Sequence, residues 1–180
     1  MSAIYNVFPT EYDNSGNDVF GVAYTSERQE ELFRLPDSGK IEGWRRFSLD
    51  LRQGEFADYL SSDLGCRLCS SKLREVLQSH ASRDDELQWL EVDIKSDSEC
   101  RPYFILHFPV RPDILNREES IFAAGFFVVK PVLAKAAIGE HQIFTYPGGG
   151  DRSMYVTSKV KRAIQSEGCT GLKFSRAAVR

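Results

Sequence analysis

Along much of this chain, hydrophobic and polar residues alternate at the two-residue spacing of a β-strand. The pattern changes clearly to a helical spacing in two places. The alternation is plainest in Leu87–Ile94, where Leu90, Val92 and Ile94 fall on one side and Glu91 and Asp93 on the other. Such a strand has one buried and one wet face, as in antiparallel sheets. β-Branched and aromatic residues mark further candidate strands at Ala3–Phe8, Val19–Tyr24, Arg46–Leu51, Tyr103–Phe108, Ile121–Val129, Gln142–Tyr146 and Leu172–Phe174. Turn formers lie between them, at Pro36-Asp37-Ser38-Gly39, Pro109, Pro112-Asp113 and Pro147-Gly148-Gly149-Gly150-Asp151.

The two helical stretches resemble each other. Residues 69–79 read CSSKLREVLQS and residues 156–166 read VTSKVKRAIQS, with four of eleven positions identical. Leu73, Val76 and Leu77 in the first, and Val160, Ala163 and Ile164 in the second, recur at i, i+3 and i+4 and give each helix one apolar face. Ser71 and Ser158 are the expected caps, since a hydroxyl at a helix start can accept a backbone N–H of the first turn. A candidate strand follows each copy, so the pair reads as two pseudo-similar helix–strand units. The expected fold class is α+β: a mixed, mostly antiparallel sheet with a few packed helices. No linker-like composition divides the chain, so residues 1–180 read as one domain.

Composition fits that picture. Of the 180 residues, 42% are hydrophobic and 27% charged, which is enough apolar material for a core without a metal or disulfide. The longest apolar run, Ile121 to Val129, is nine residues, against about 20 for a membrane helix. The N-terminus has neither a basic nor an apolar signal segment, so a cytoplasmic location is expected. The four cysteines are then expected as free thiols. The net charge of −3 argues against bulk nucleic-acid binding. Its distribution is uneven: residues 1–31 and 81–100 each carry a local −5, and residues 152–180 carry +6.

Candidate chemistry is sparse. Cys66 and Cys69 form a CxxC before a helix, a position that can lower a thiol pKa, but no βαβ pattern leads into it and burial is the better reading. Cys100, Cys169, His80, His107 and His141 lack zinc-ligand spacing. Asp151 follows the glycines at 148–150, where a phosphate loop needs Lys followed by Ser or Thr. His107 sits inside a candidate strand with no triad partner at a recognisable spacing, and reads as structural. No catalytic residue, metal site or cofactor is expected. The alternatives are a small enzyme using Cys66 and Cys69 or the 148–150 loop, and a nucleic-acid or protein-interaction module using the basic C-terminal segment.

Several segments, in order, carry a resemblance: Cys69-Ser70-Ser71-Lys72-Leu73-Arg74, then LQWLEVDI, then YFILHFPVRPDIL, then VTSKVKRAIQSEGCTGLKF. Together they resemble a bacterial family of polymorphic-toxin immunity proteins related to the Myxococcus immunity domain. The hallmark of that family is a Ser-started helix followed by Gly-x-Thr-Gly-hydrophobic-x-Phe, here Gly168 to Phe174. The resemblance covers a family-like core at 44–174, with 1–43 matching loosely and 175–180 left as a tail. It implies an α+β module in the cytoplasm that binds a cognate toxin or effector, such as a nuclease, and occludes its active surface. It implies no catalytic residue, no membrane partner and no nucleic-acid partner. A toxic nuclease with a basic cleft would attract an acidic surface, so Asp84, Asp85, Glu86, Glu91 and Asp93 are the expected contacts.

Overall fold

A computed structural model describes residues 2–25, 35–123, 127–148 and 153–180. In chain order its elements are β1 (Ile4–Pro9), β2 (Val22–Thr25), β3 (Ser48–Arg52), β4 (Tyr59–Ser62), β5 (Leu68–Ser70), α1 (Ser71–His80), β6 (Gln88–Lys95) and β7 (Cys100–His107). There follow β8 (Ile121–Ala123), β9 (Phe127–Lys130), β10 (Val132–Leu133), α2 (Lys135–Ile138), β11 (Ile143–Phe144), β12 (Met154–Thr157), α3 (Ser158–Ser166), β13 (Leu172–Arg176) and β14 (Ala178–Val179). The fold is α+β, with strand outweighing helix.

The strands do not form one sheet. Six of them close into a barrel in the order β2-β3-β6-β7-β5-β4, and four form an open sheet in the order β11-β12-β1-β13. The alternation read in β6 sets the barrel's inside: Leu90, Val92 and Ile94 point into it and meet Tyr103 and Ile105 of β7. The interior is packed, with Ala23, Leu49, Leu60 and Leu68 filling the rest. Tyr103 places the one hydroxyl of this group inside, and it donates to the Ala57 carbonyl at 2.7 Å, as a buried phenol must find an acceptor.

The sequence repeat corresponds to a repeat of topology. β5 and β6 flank α1 in the chain, and β7 lies between them in the barrel, antiparallel to both. β12 and β13 flank α3, and β1 lies between them, antiparallel to both. Each unit is a β-helix-β with a foreign strand inserted. The two helices pack on each other. Leu73, Val76 and Leu77 of α1 and Val160 and Ile164 of α3 enter one core with Val7, Tyr59, Leu106 and Val156. Burying each such side chain contributes about 1.5–3 kcal/mol. That core joins the outer wall of the barrel to one face of the open sheet. A second core on the sheet's other face contains Ile4, Ile114, Leu133, Ile138, Phe144 and Tyr155.

Some expectations need correction. The caps stand one residue earlier than expected. Ser70 is still in extended geometry (φ −65°, ψ 167°), and its Oγ accepts from the Leu73 N–H; Ser71 is already helical. At α3 the cap position is Thr157, whose hydroxyl donates to Gln142 Oε1 at 2.8 Å instead of capping, while Ser158 Oγ meets Ser2 Oγ. The run Ile121–Val129 is two antiparallel strands, β8 and β9, around residues outside the described set. The 175–180 segment is not a loose tail: Ser175 and Arg176 extend β13, β14 pairs in parallel with β10, and Arg180 exchanges backbone bonds with Leu133 and Lys135. The N-terminal β1 is an inner strand of the open sheet. Among the described residues no helix is long and apolar enough to cross a membrane.

Candidate functional site

The expected acidic contact set does not come together as a free surface. Asp85 is the clearest departure: its side chain is 0% exposed. Its carboxylate accepts from the backbone N–H groups of Ser82 (2.8 Å), Gln142 (3.1 Å) and Ile143 (3.1 Å), and from His141 Nδ1 (2.9 Å). It clamps the turn after α1 to the start of β11. Glu91 and Asp93 lie on the outer face of β6, but Arg46 occupies both. Its Nη1 donates to Glu91 Oε1 at 2.6 Å, its Nε to Asp93 Oδ2 at 2.8 Å, and its Nη2 to Asp93 Oδ1. That hydrogen-bonded guanidinium holds the Asp93 carboxyl below the usual carboxylate range. Asp84 and Glu86 are exposed, and Arg83 stands 3.7 Å from the Asp84 carboxylate. Of the five acids, then, Asp84 and Glu86 stand exposed, Glu91 and Asp93 share one arginine, and Asp85 is withdrawn into a clamp.

Cys66 and Cys69 are both buried as thiols, with no disulfide between them. Burial raises the Cys69 thiol far above its ordinary value, the reverse of what a redox nucleophile needs. His107 is fully buried and its Nε2 bonds to the Gly39 carbonyl at 2.8 Å, a structural role. Of the glycine loop, Gly149, Gly150 and the following Asp151 lie outside the described residues. Among the described residues no group of His, Cys, Asp and Glu could hold a metal ion.

What sequence reasoning missed is Asp58. It precedes β4 and ties both repeat units together. Its Oδ1 accepts from Ser70 Oγ at 2.6 Å, which positions the cap of α1. Its Oδ2 accepts from Thr170 N–H at 2.9 Å and Thr170 Oγ1 at 3.2 Å, which positions the turn after α3. Lys72 Nζ stands 3.6 Å from the same oxygen and donates to the Gly168 carbonyl at 3.0 Å. The turn Gly168-Cys169-Thr170-Gly171 is therefore a joint in the scaffold. A cleft of ≈ 330 Å³ opens beside it, lined by Phe56, Lys72, Arg101 and Thr170. Its two cations are already engaged: Lys72 as described, and Arg101 in a two-pronged pair with Glu99 (2.9 and 2.7 Å) while lying over the Phe56 ring.

The surface elsewhere is more open to a partner. Phe8 is 40% exposed at the end of β1, Tyr12 is exposed just beyond it, and Ile121 and Val129 project 54% and 63% exposed from the β8–β9 hairpin. A second cleft of ≈ 520 Å³ runs between β1 and the barrel, lined by Phe8, Val22, Tyr24, Tyr59, Asp63 and Cys66 among others. The basic C-terminal segment forms the neighbouring edge of the open sheet. Lys173 and Arg176 are exposed on β13, and Lys161 of α3 lies over the rings of Tyr5 (3.9 Å) and Phe174 (5.4 Å). No family model matches the chain, and no curated protein matches it.

Proposed function

We propose that this chain is an immunity-type protein, which binds a cognate antibacterial toxin in the cytoplasm and covers its working surface without chemistry of its own. The observation that supports this reading is where the resemblance falls. The Ser-Ser-Lys-Leu-Arg helix, the two long barrel strands and the Gly-Cys-Thr-Gly-Leu-Lys-Phe turn assemble into one scaffold, joined at Asp58. The segments that resemble the family thus act as framework, which leaves exposed residues such as Phe8, Tyr12, Ile121 and Val129 for a partner. A nuclease remains the toxin class that fits the family. Within the acidic 84–93 segment, Asp85 is withdrawn into a clamp and Glu91 and Asp93 share Arg46, so we place the contact surface on the exposed Phe8, Tyr12, Ile121 and Val129 instead.

The test is co-expression with the toxin-domain product of the adjoining gene. Host cells should survive only when the full chain is present, and the two proteins should purify as a stoichiometric complex. Cell death despite the chain's presence, with no complex recovered, would overturn the proposal. So would substrate turnover by the isolated chain.

A further inference from the structure

The open four-stranded sheet has two edges, and the structure treats them differently. At β11 the Asp85 carboxylate takes the N–H groups of Gln142 and Ile143. At β13, no described residue takes the outward backbone groups. Which groups those are follows from the register. Ala177 N–H donates to the Ile4 carbonyl and Thr10 N–H to the Gly171 carbonyl, so these are hydrogen-bonded pairs. Bonded and non-bonded pairs alternate in an antiparallel ladder. Asn6 with Ser175 and Phe8 with Lys173 therefore exchange bonds, while Leu172, Phe174 and Arg176 turn their N–H and C=O groups away from β1.

We infer that β13 is a docking edge for an extended, acidic segment of a partner protein, which adds to the sheet as a fifth strand through the backbone groups of Leu172, Phe174 and Arg176. This deepens the toxin-binding role proposed above and rests on it for the identity of the partner. Strand addition of this kind draws affinity from main-chain bonds and specificity from alternate side chains. The side chains on offer are cationic on both faces. Arg176 lies on the α3 side, near the position of Lys161 over Phe174, and Lys173 lies on the other side, opposite the exposed Phe8. Lysine and arginine on an edge strand discourage pairing with an identical copy. The same charges favour an acidic strand, so they act as a filter as well as a guard. Residues 153–180 carry Lys159, Lys161, Arg162, Lys173, Arg176 and Arg180 against Glu167 alone, which gives the edge a local field that attracts such a segment.

The test uses the full isotope-labelled chain and amide hydrogen exchange read residue by residue. In the free protein the Lys173 and Ser175 amides should be protected, and those of Leu172, Phe174 and Arg176 should exchange freely. A short peptide of alternating valine and glutamate should slow exchange at those three amides by about tenfold or more, with the effect fading as salt is added. Arg176→Pro removes one outward N–H at an edge position where proline is tolerated, and should abolish the protection with the rest of the free-state spectrum retained. Arg176→Gln keeps the N–H and should only weaken it. Protection that survives Arg176→Pro would overturn the main-chain pairing. Equal binding of a valine–lysine peptide would overturn the charge preference. Tighter binding of single-stranded RNA to the same amides would make the edge a nucleic-acid surface. Protection that grows with protein concentration alone would make the occupant a second copy. Failure of the co-expression rescue with the peptide result intact would count against the toxin reading and leave the edge standing.

Discussion

Gly171 presses against the strand that carries Tyr59. A Cβ built on it would collide with the Tyr59 carbonyl oxygen and stand 2.6 Å from the Ala57 Cβ, and its φ is +74°. The close approach lets Tyr59 N–H donate to the Thr170 carbonyl at 3.1 Å, so the turn after α3 is stitched to the barrel. Gly168, three residues earlier, has φ +60° and open space where a Cβ would go. Gly168→Ala should cost about 1 kcal/mol for the left-handed backbone. Gly171→Ala should cost about 3 kcal/mol or more, because backbone atoms must move. Denaturant midpoints at unchanged slope measure both.

The two serines at the start of α1 should separate cleanly. Ser70→Ala removes the cap to Leu73 and a donor to Asp58, and should destabilise by about 1–2 kcal/mol. Ser71→Ala touches neither bond and should stay within about 0.5 kcal/mol. A larger loss from Ser71→Ala than from Ser70→Ala would place the cap where the sequence pattern first suggests it.

Asp85 is expected to behave as a structural clamp. Asp85→Ala leaves the N–H groups of Ser82, Gln142 and Ile143 without their acceptor and should cost about 3 kcal/mol or more. Hydrogen exchange at Gln142 and Ile143 should accelerate in step. Asp85→Asn keeps one carbonyl oxygen and should cost less. The exposed neighbour Asp84→Lys should leave the denaturant midpoint close to that of the parent protein.

Arg46 gives the barrel wall a signature against pH. Asp93 titrates lower folded than unfolded because Arg46 hydrogen-bonds its charged form. A depressed carboxylate adds stability above its unfolded value, about 3.9, and that stability is lost as pH falls through the folded value. Arg46→Gln should therefore lower the denaturant midpoint at neutral pH, and the gap to the parent protein should close in acid below about pH 4. Salt should narrow the gap at neutral pH as well, since Arg46 is half exposed. A gap constant from neutral to strongly acidic pH would remove Asp93 from this account.

The parts legible from sequence are those with short-range causes. Leu90, Val92 and Ile94 face inward as their alternation requires, and both apolar helix faces meet the core they were expected to meet. Cys69 and His107, read as structural, are buried. The parts that were not legible depend on distant partners. Asp85 sits in the run Asp84-Asp85-Glu86, and only its contact with residues 141–143 distinguishes it from its neighbours. The helix starts slipped by one residue because the strand before each, set by pairing with β7 or β1, decides where the backbone turns helical. β4 is short and mixed in character (Tyr59, Leu60, Ser61, Ser62), and it exists as a strand only because β2 and β5 flank it.

The barrel's six junctions are very unequal in length. β6 and β7 zip together over eight residue pairs, whereas β2 and β4 meet over two, Val22 with Ser61 and Ala23 with Ser62. Asp63 reinforces that seam by accepting from Thr25 N–H and Thr25 Oγ1, and its own N–H donates to the Ala23 carbonyl. β4 meets β5 over two pairs as well, Tyr59 with Cys69 and Leu60 with Leu68. When the cylinder breathes, it will unroll beside β4 first, exposing Ala23 and Leu60 to water while the long β6–β7 spine stays shut.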